Sequence, residues 1–105
     1  MRLSRSSGDR RGEAEALSGL GEAFLVAGQA DSASARYRAA LEVASVIDDR
    51  YEQARAGRRL ADSYHAVGEA VQAHRHWHQA LAIFSVLGTP ESDDIRASLA
   101  RTAGR

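Results

Sequence analysis

Small and apolar residues recur along this chain at intervals of three and four, the spacing that gathers them on one face of an α-helix. The first block carries Ala16, Leu17, Leu20, Phe24 and Ala27, and the next Ala33, Tyr37, Ala40, Leu41 and Ala44. A third runs through Leu60, Tyr64 and Val67, a fourth through Ala73, Trp77, Ala80, Leu81 and Phe84, and a short last one through Ile95 and Leu99. β-branched residues are few and do not alternate with polar ones, so strands are not expected. The pattern predicts an all-α chain of about five helices, over 10–27, 30–46, 50–67, 70–86 and 90–102. Gly28 and Gly68 interrupt it as left-handed glycines that close a helix do. Links this short make successive helices fold back antiparallel. Helix starts are marked as well. Asp49 and Glu52 have the spacing of a capping box, and Thr89-Pro90-Glu91 offers an N-cap, a proline for the first helical position and an early negative charge.

The blocks repeat. A shift of 40 residues brings Asp9-Arg10 onto Asp49-Arg50, Ala14 onto Ala54, Ala16 onto Ala56 and Leu20 onto Leu60. Gly28 falls on Gly68, Ala33 on Ala73, Ala40-Leu41 on Ala80-Leu81 and Ser45-Val46 on Ser85-Val86. Phe24 meets Tyr64, and Tyr37 meets Trp77. The matches sit at apolar or small positions, as they would if packing were held while the surface drifted. The single domain 1–105 then divides into repeat one (9–48), repeat two (49–88) and a closing helix (89–103). Residues 1–8 read as the tail of a preceding repeat, Leu3 falling 40 before Val43.

Composition narrows the function classes. The chain has 105 residues, one domain's worth, and 14 basic residues balance 14 acidic ones. No basic excess is present to hold phosphates, so a nucleic-acid partner is not expected. Every basic residue is Arg, which rules out lysine Schiff bases and P-loop lysines. Cysteine is absent, so disulfides, thiolate catalysis and cysteine zinc sites are excluded. No apolar run approaches the ~18 residues of a membrane helix, and the start of the chain lacks a signal-peptide core. A cytoplasmic protein with no membrane partner is the expectation.

The residues Leu17-x-x-Leu20-Gly21-x-x-Phe24, Gly28 and Ala33-x-x-x-Tyr37-x-x-Ala40 resemble the tetratricopeptide repeat (TPR). So do Gly57-x-x-Leu60-Ala61-x-x-Tyr64, Gly68 and Ala73-x-x-x-Trp77-x-x-Ala80. Ser45 and Ser85 stand where the family has proline, and Gly57 where it has a bulky residue, so repeat two is expected to start loosely packed. More narrowly, GDRRGEAEAL and LAIFSVLGTPESDDIRASLA resemble the C-terminal repeat arrays of actinobacterial antibiotic-regulatory and NB-ARC-type STAND transcriptional regulators. The resemblance implies a right-handed superhelical stack of antiparallel hairpins, a TPR solenoid, whose first helices line a concave groove for a protein or peptide. Carried over, it puts Glu15, Ser18, Glu22 and Leu25 of repeat one and Arg55, Arg58, Asp62 and His65 of repeat two in that groove. Ile95 and Ser98 would join them from the last helix. Arg55 and Arg58 share a helix face, and an arginine fork grips a carboxylate with two bonds. An acidic or carboxylate-bearing partner is therefore expected, at about micromolar affinity for so short a groove.

Other constellations carry less. His74 and His78 lie one helical turn apart and could pair on a metal, while His76 faces elsewhere and His65 lies on the groove side. This supports a metal- or pH-responsive regulator as the alternative reading, although no third ligand is in register, and neither metal nor cofactor is expected. Trp77 occupies the place of Tyr37 and reads as a core wedge. Asp48-Asp49 and Asp93-Asp94 sit near helix starts, where capping accounts for them. No nucleophile–base array is visible, and no catalytic residue is assigned. Two and a half repeats should be marginally stable, near the low end of ~5–15 kcal/mol. With no complete helix ahead of repeat one, an apolar edge is expected there, and with it either a missing upstream partner or a homodimer through the terminal faces, the mark of a self-associating structural unit.

Overall fold

A computed structural model describes residues 7–103, all of them in helices and the turns between them. The five helices are α1 (Ser7–Val26), α2 (Ala30–Val46), α3 (Arg50–Ala66), α4 (Ala70–Leu87) and α5 (Glu91–Thr102). Each packs on its neighbours in chain order, and α1 also touches α3. The expectation for residues 1–6 lies outside the described residues. Ser7 and Gly8, assigned above to the same tail, belong to α1.

All four interhelical turns are built the same way. Gly28, Asp48, Gly68 and Gly88 have positive φ, between 55° and 82°, and they fall 20 residues apart. At the first turn Gln29 N–H donates to Phe24 O (2.8 Å) and Gly28 N–H to Leu25 O (3.0 Å). The same pair of bonds closes α2 at Asp48 and Asp49, α3 at Gly68 and Glu69, and α4 at Gly88 and Thr89. This is the Schellman arrangement, which satisfies carbonyls that a helix end would otherwise leave bare. Asp48 is therefore the left-handed residue of its turn and not a cap. Asp49 does cap: its Oδ1 accepts from Glu52 N–H at 3.1 Å. The reciprocal bond of a capping box is missing, because Asp49 N–H is already given to Ala44 O. Thr89 is likewise committed to closing α4, and α5 begins one residue later than expected, at Glu91, without a side-chain cap.

Two apolar clusters form the core. Ala33 and Tyr37 of α2 close on Leu60 of α3, with Phe24, Leu25, Leu41 and Tyr64 at the rim. Ala54, Ala61, Ala73, Trp77, Ala80, Phe84 and Ile95 form the other, with Tyr64 again at its edge. Tyr37 and Trp77 are buried wedges, as expected from their equivalence. Gly21 makes room for the first: a β-carbon there would lie 2.7 Å from the Tyr37 ring. The start of repeat two is buried at Ala54, Ala56 and Gly57, although a cleft of about 330 Å³ opens beside Gly57 between α2, α3 and α4.

The predicted apolar face of α1 is only partly buried. Leu60 is 0% exposed whereas its equivalent Leu20 is 46% exposed, and Ala16 and Ala27 are open to solvent. The cause is position. α2 covers Leu60, and no described element covers Leu20. At the other end α5 buries Ile95 in the same cluster as Phe84 and packs Leu99 against it, while Leu87 stays substantially exposed.

Candidate functional site

The first helices of the hairpins and the closing helix share a network of charged side chains. Arg11 of α1 reaches Asp49 (3.5 Å) and Glu52 (3.6 Å) at the start of α3. Farther along, Glu22 of α1 meets Arg59 of α3 at 3.5 Å. From α3, Arg58 extends to Asp94 of α5 at 3.9 Å, and Tyr51 donates its hydroxyl proton to Glu91 at 2.6 Å. The last bond draws the Glu91 carboxyl below its usual range and lifts the Tyr51 phenol above its own. Glu52 is 3% exposed, so its carboxylate needs the partners it has, Arg55 at 3.5 Å and Arg11.

Five of the eight expected groove residues take part in this charged network. Glu15 pairs with Arg11, Glu22 with Arg59, Arg55 with Glu52, and Arg58 with both Asp62 and Asp94. His65 lies against Trp77, ring centroids 5.6 Å apart. Ser18 is half-buried on α1, and Leu25 packs at the rim of the core. Ile95 and Ser98, offered to the groove from α5, are buried instead, because α5 turns that side onto α4. Glu22 pairs with Arg59, the neighbour of Arg58 on α3. The arginines of this face are thus engaged. Arg11, Arg55, Arg58 and Arg59 are set against Glu15, Glu22, Asp49, Glu52, Asp62 and Asp94. Four cations facing six carboxylates leave the surface net acidic.

Asp62 has a further partner that the sequence pattern did not show. Trp77, buried on α4, donates its indole N–H to Asp62 Oδ1 at 3.0 Å. Burial raises the Asp62 pKa, opposed by this bond and then by Arg58 and Arg59. The two residues are 15 apart in sequence, so no helical period links them.

The histidines do not converge. His74 Nε2 is within 2.7 Å of Thr102 Oγ1 and its ring lies against Trp77, which ties α5 to α4. His76 stacks on Tyr64, 5.6 Å between centroids and 24° between planes. His78 is exposed. Among the described residues no three His, Asp or Glu side chains are gathered as a metal site would need. No described helix is long and apolar enough to cross a membrane. No protein family, curated protein or solved structure matches this chain.

Proposed function

We propose that this chain is a non-catalytic interaction module of the TPR type. In this reading the two hairpins continue into a right-handed superhelical stack closed by α5, and α1, α3 and α5 line the groove that holds a protein or peptide. One observation carries the proposal. Positions that pack keep their chemistry at the 40-residue spacing, whereas most of the groove positions exchange it: Glu15 for Arg55, Ser18 for Arg58 and Leu25 for His65, with a carboxylate kept only at Glu22 and Asp62. A constant frame that presents a non-repeating row of side chains suits recognition of one partner along its length. The acidic balance of the face favours a partner that brings cations to it and weighs against capture of a carboxylate by Arg55 and Arg58. In keeping with the sequence resemblance, the proposed role of such a module is the regulatory repeat segment of a bacterial transcriptional regulator, with a cytoplasmic setting as part of the proposal.

Site-directed photo-crosslinking tests the reading. A crosslinker at Ser18 or at His65 should capture one discrete partner in cells of the source organism, and a crosslinker at exposed Val46 should not. Equal capture from all three positions would remove the groove. A second reading, self-association, is favoured by the exposure of Leu20 where Leu60 is covered.

A further inference from the structure

The arginines of α2 and α4 are placed differently from those of the ion-pair network. Arg38 and Arg75 line one cleft of about 610 Å³ between these helices, together with Glu42, Leu41, Tyr64 and His76. Among the described residues neither arginine makes an ion pair. Arg38 Nη1 donates to the Tyr64 hydroxyl at 3.1 Å. A phenol that has accepted a bond still has its own proton to give. His76 lies flat on the same tyrosine, and its Nδ1 is buried without a hydrogen-bond partner. Glu42 is the one carboxylate lining the cleft.

Comparison of the two repeats shows how the cleft arises. Arg36 lies over Phe24, 5.6 Å from its centroid, as His76 lies over Tyr64. The stacking is thus common to both hairpins. The donors are not: Phe24 has no hydroxyl, and Ala35 stands where repeat two has Arg75. Arg38 reaches Tyr64 only because α2 packs across the second hairpin. The donor set therefore belongs to the junction between repeats.

We propose that this junction is a carboxylate-binding site, taking adjacent acidic side chains of a peptide between Arg38, Arg75 and the Tyr64 hydroxyl. Two guanidinium groups and a hydroxyl proton offer more donors than one carboxylate can use, so neighbouring acidic residues fit best. The contacts are solvent-exposed, which sets the affinity on the order of millimolar for a short peptide. His76 adds pH dependence. Its pKa is lowered by burial, then by Arg75 and Arg38. A bound carboxylate offsets the two arginines and favours the imidazolium, so by linkage binding tightens as pH falls. The other groups facing His76 are Tyr64 of α3 and Glu42 of α2, and neither removes that trend.

The inference goes beyond the groove reading and shares no residue with it, so the two fail separately. The test is NMR titration of the isotope-labelled full chain with acetyl-tetraglutamate amide at pH 7.5 and 5.5. Amide shifts should centre on Arg38, Tyr64, Arg75 and His76, with affinity several-fold higher at pH 5.5. Arg38→Gln/Arg75→Gln should weaken binding at least tenfold. Glu42→Gln should tighten it about threefold, a gain that misfolding cannot produce. His76→Gln should flatten the pH response. Shifts centred on Arg55 and Arg58, binding unchanged in the double arginine variant, or no binding at pH 5.5 would each overturn the assignment.

Discussion

At the scale of single residues, two glycines inside helices have opposite meanings. A β-carbon at Gly21 would sit 2.7 Å from Tyr37 Cε1 and 2.9 Å from two more ring atoms. Tyr37 is fully buried and cannot step aside. At Gly57 the nearest atom would be the Ala80 β-carbon at 3.9 Å, an ordinary contact. Glycine inside a helix costs about 1 kcal/mol relative to alanine, and overpacking a core costs about 1–3 kcal/mol. Urea denaturation should thus show Gly21→Ala destabilised by up to about 2 kcal/mol, once the propensity gain is subtracted. Gly57→Ala should be stabilised by about 1 kcal/mol. Equal shifts of one sign would mean that Tyr37 does not lie against α1 as described. The sequence marked Gly57 as standing where the resembled family has a bulky residue, but it carried no measure of what stands opposite either glycine. The same limit hid the Trp77–Asp62 bond, which depends on how α3 and α4 are rotated against each other.

At the scale of elements, the chain is paced by its turns. Three of the four left-handed positions are glycine, and the fourth is Asp48 with φ 55°. A side chain in that region is strained by its own β-carbon, though aspartate tolerates it better than most residues. Asp48→Gly should therefore raise stability by about 0.5–1 kcal/mol, a few degrees in thermal midpoint for a chain of this size. A fall in midpoint would show that the Asp48 side chain contributes something beyond the turn. The glycine turns were legible in the sequence because glycine is the ordinary residue for this geometry. The Asp48 turn was misread as a cap because aspartate serves both roles, and only backbone geometry separates them. The closing helix was legible through Ile95 and Leu99. Its polar ties, Tyr51 to Glu91 and His74 to Thr102, join residues 40 and 28 apart and had no local signal.

At the scale of the whole molecule, extents of 53 × 32 × 18 Å describe a slab with two unlike ends. α5 covers one; at the other Leu20 is exposed beside a shallow cleft lined by Leu17, Phe24, Ala35 and Ala39. Exposed apolar surface of this kind promotes association. Sedimentation velocity of the full chain should show mass rising with concentration, and Leu20→Glu should hold it as a monomer with its helical signal unchanged. A wild-type chain that stays monomeric at high concentration would remove the self-association reading. The charged residues of α1 and α3 were legible as helix faces, since helix periodicity fixes which side chains of one helix point together. Their mutual neutralisation was not, because it is set by the distances between α1, α3 and α5. The free arginines were overlooked for the same reason: Arg38 and Arg75 are separated by 37 positions and meet only across the junction.

The sequence alone determined the helices, their boundaries to within a few residues and the repeat that orders them, because these follow from short-range spacing and from the backbone freedom of glycine. Tertiary structure decided which equivalent positions were covered, which charges were already spent on one another and which remained available. Burial and electrostatics depend on what lies across a contact, and helices brought together by packing place residues side by side that no period along the chain connects.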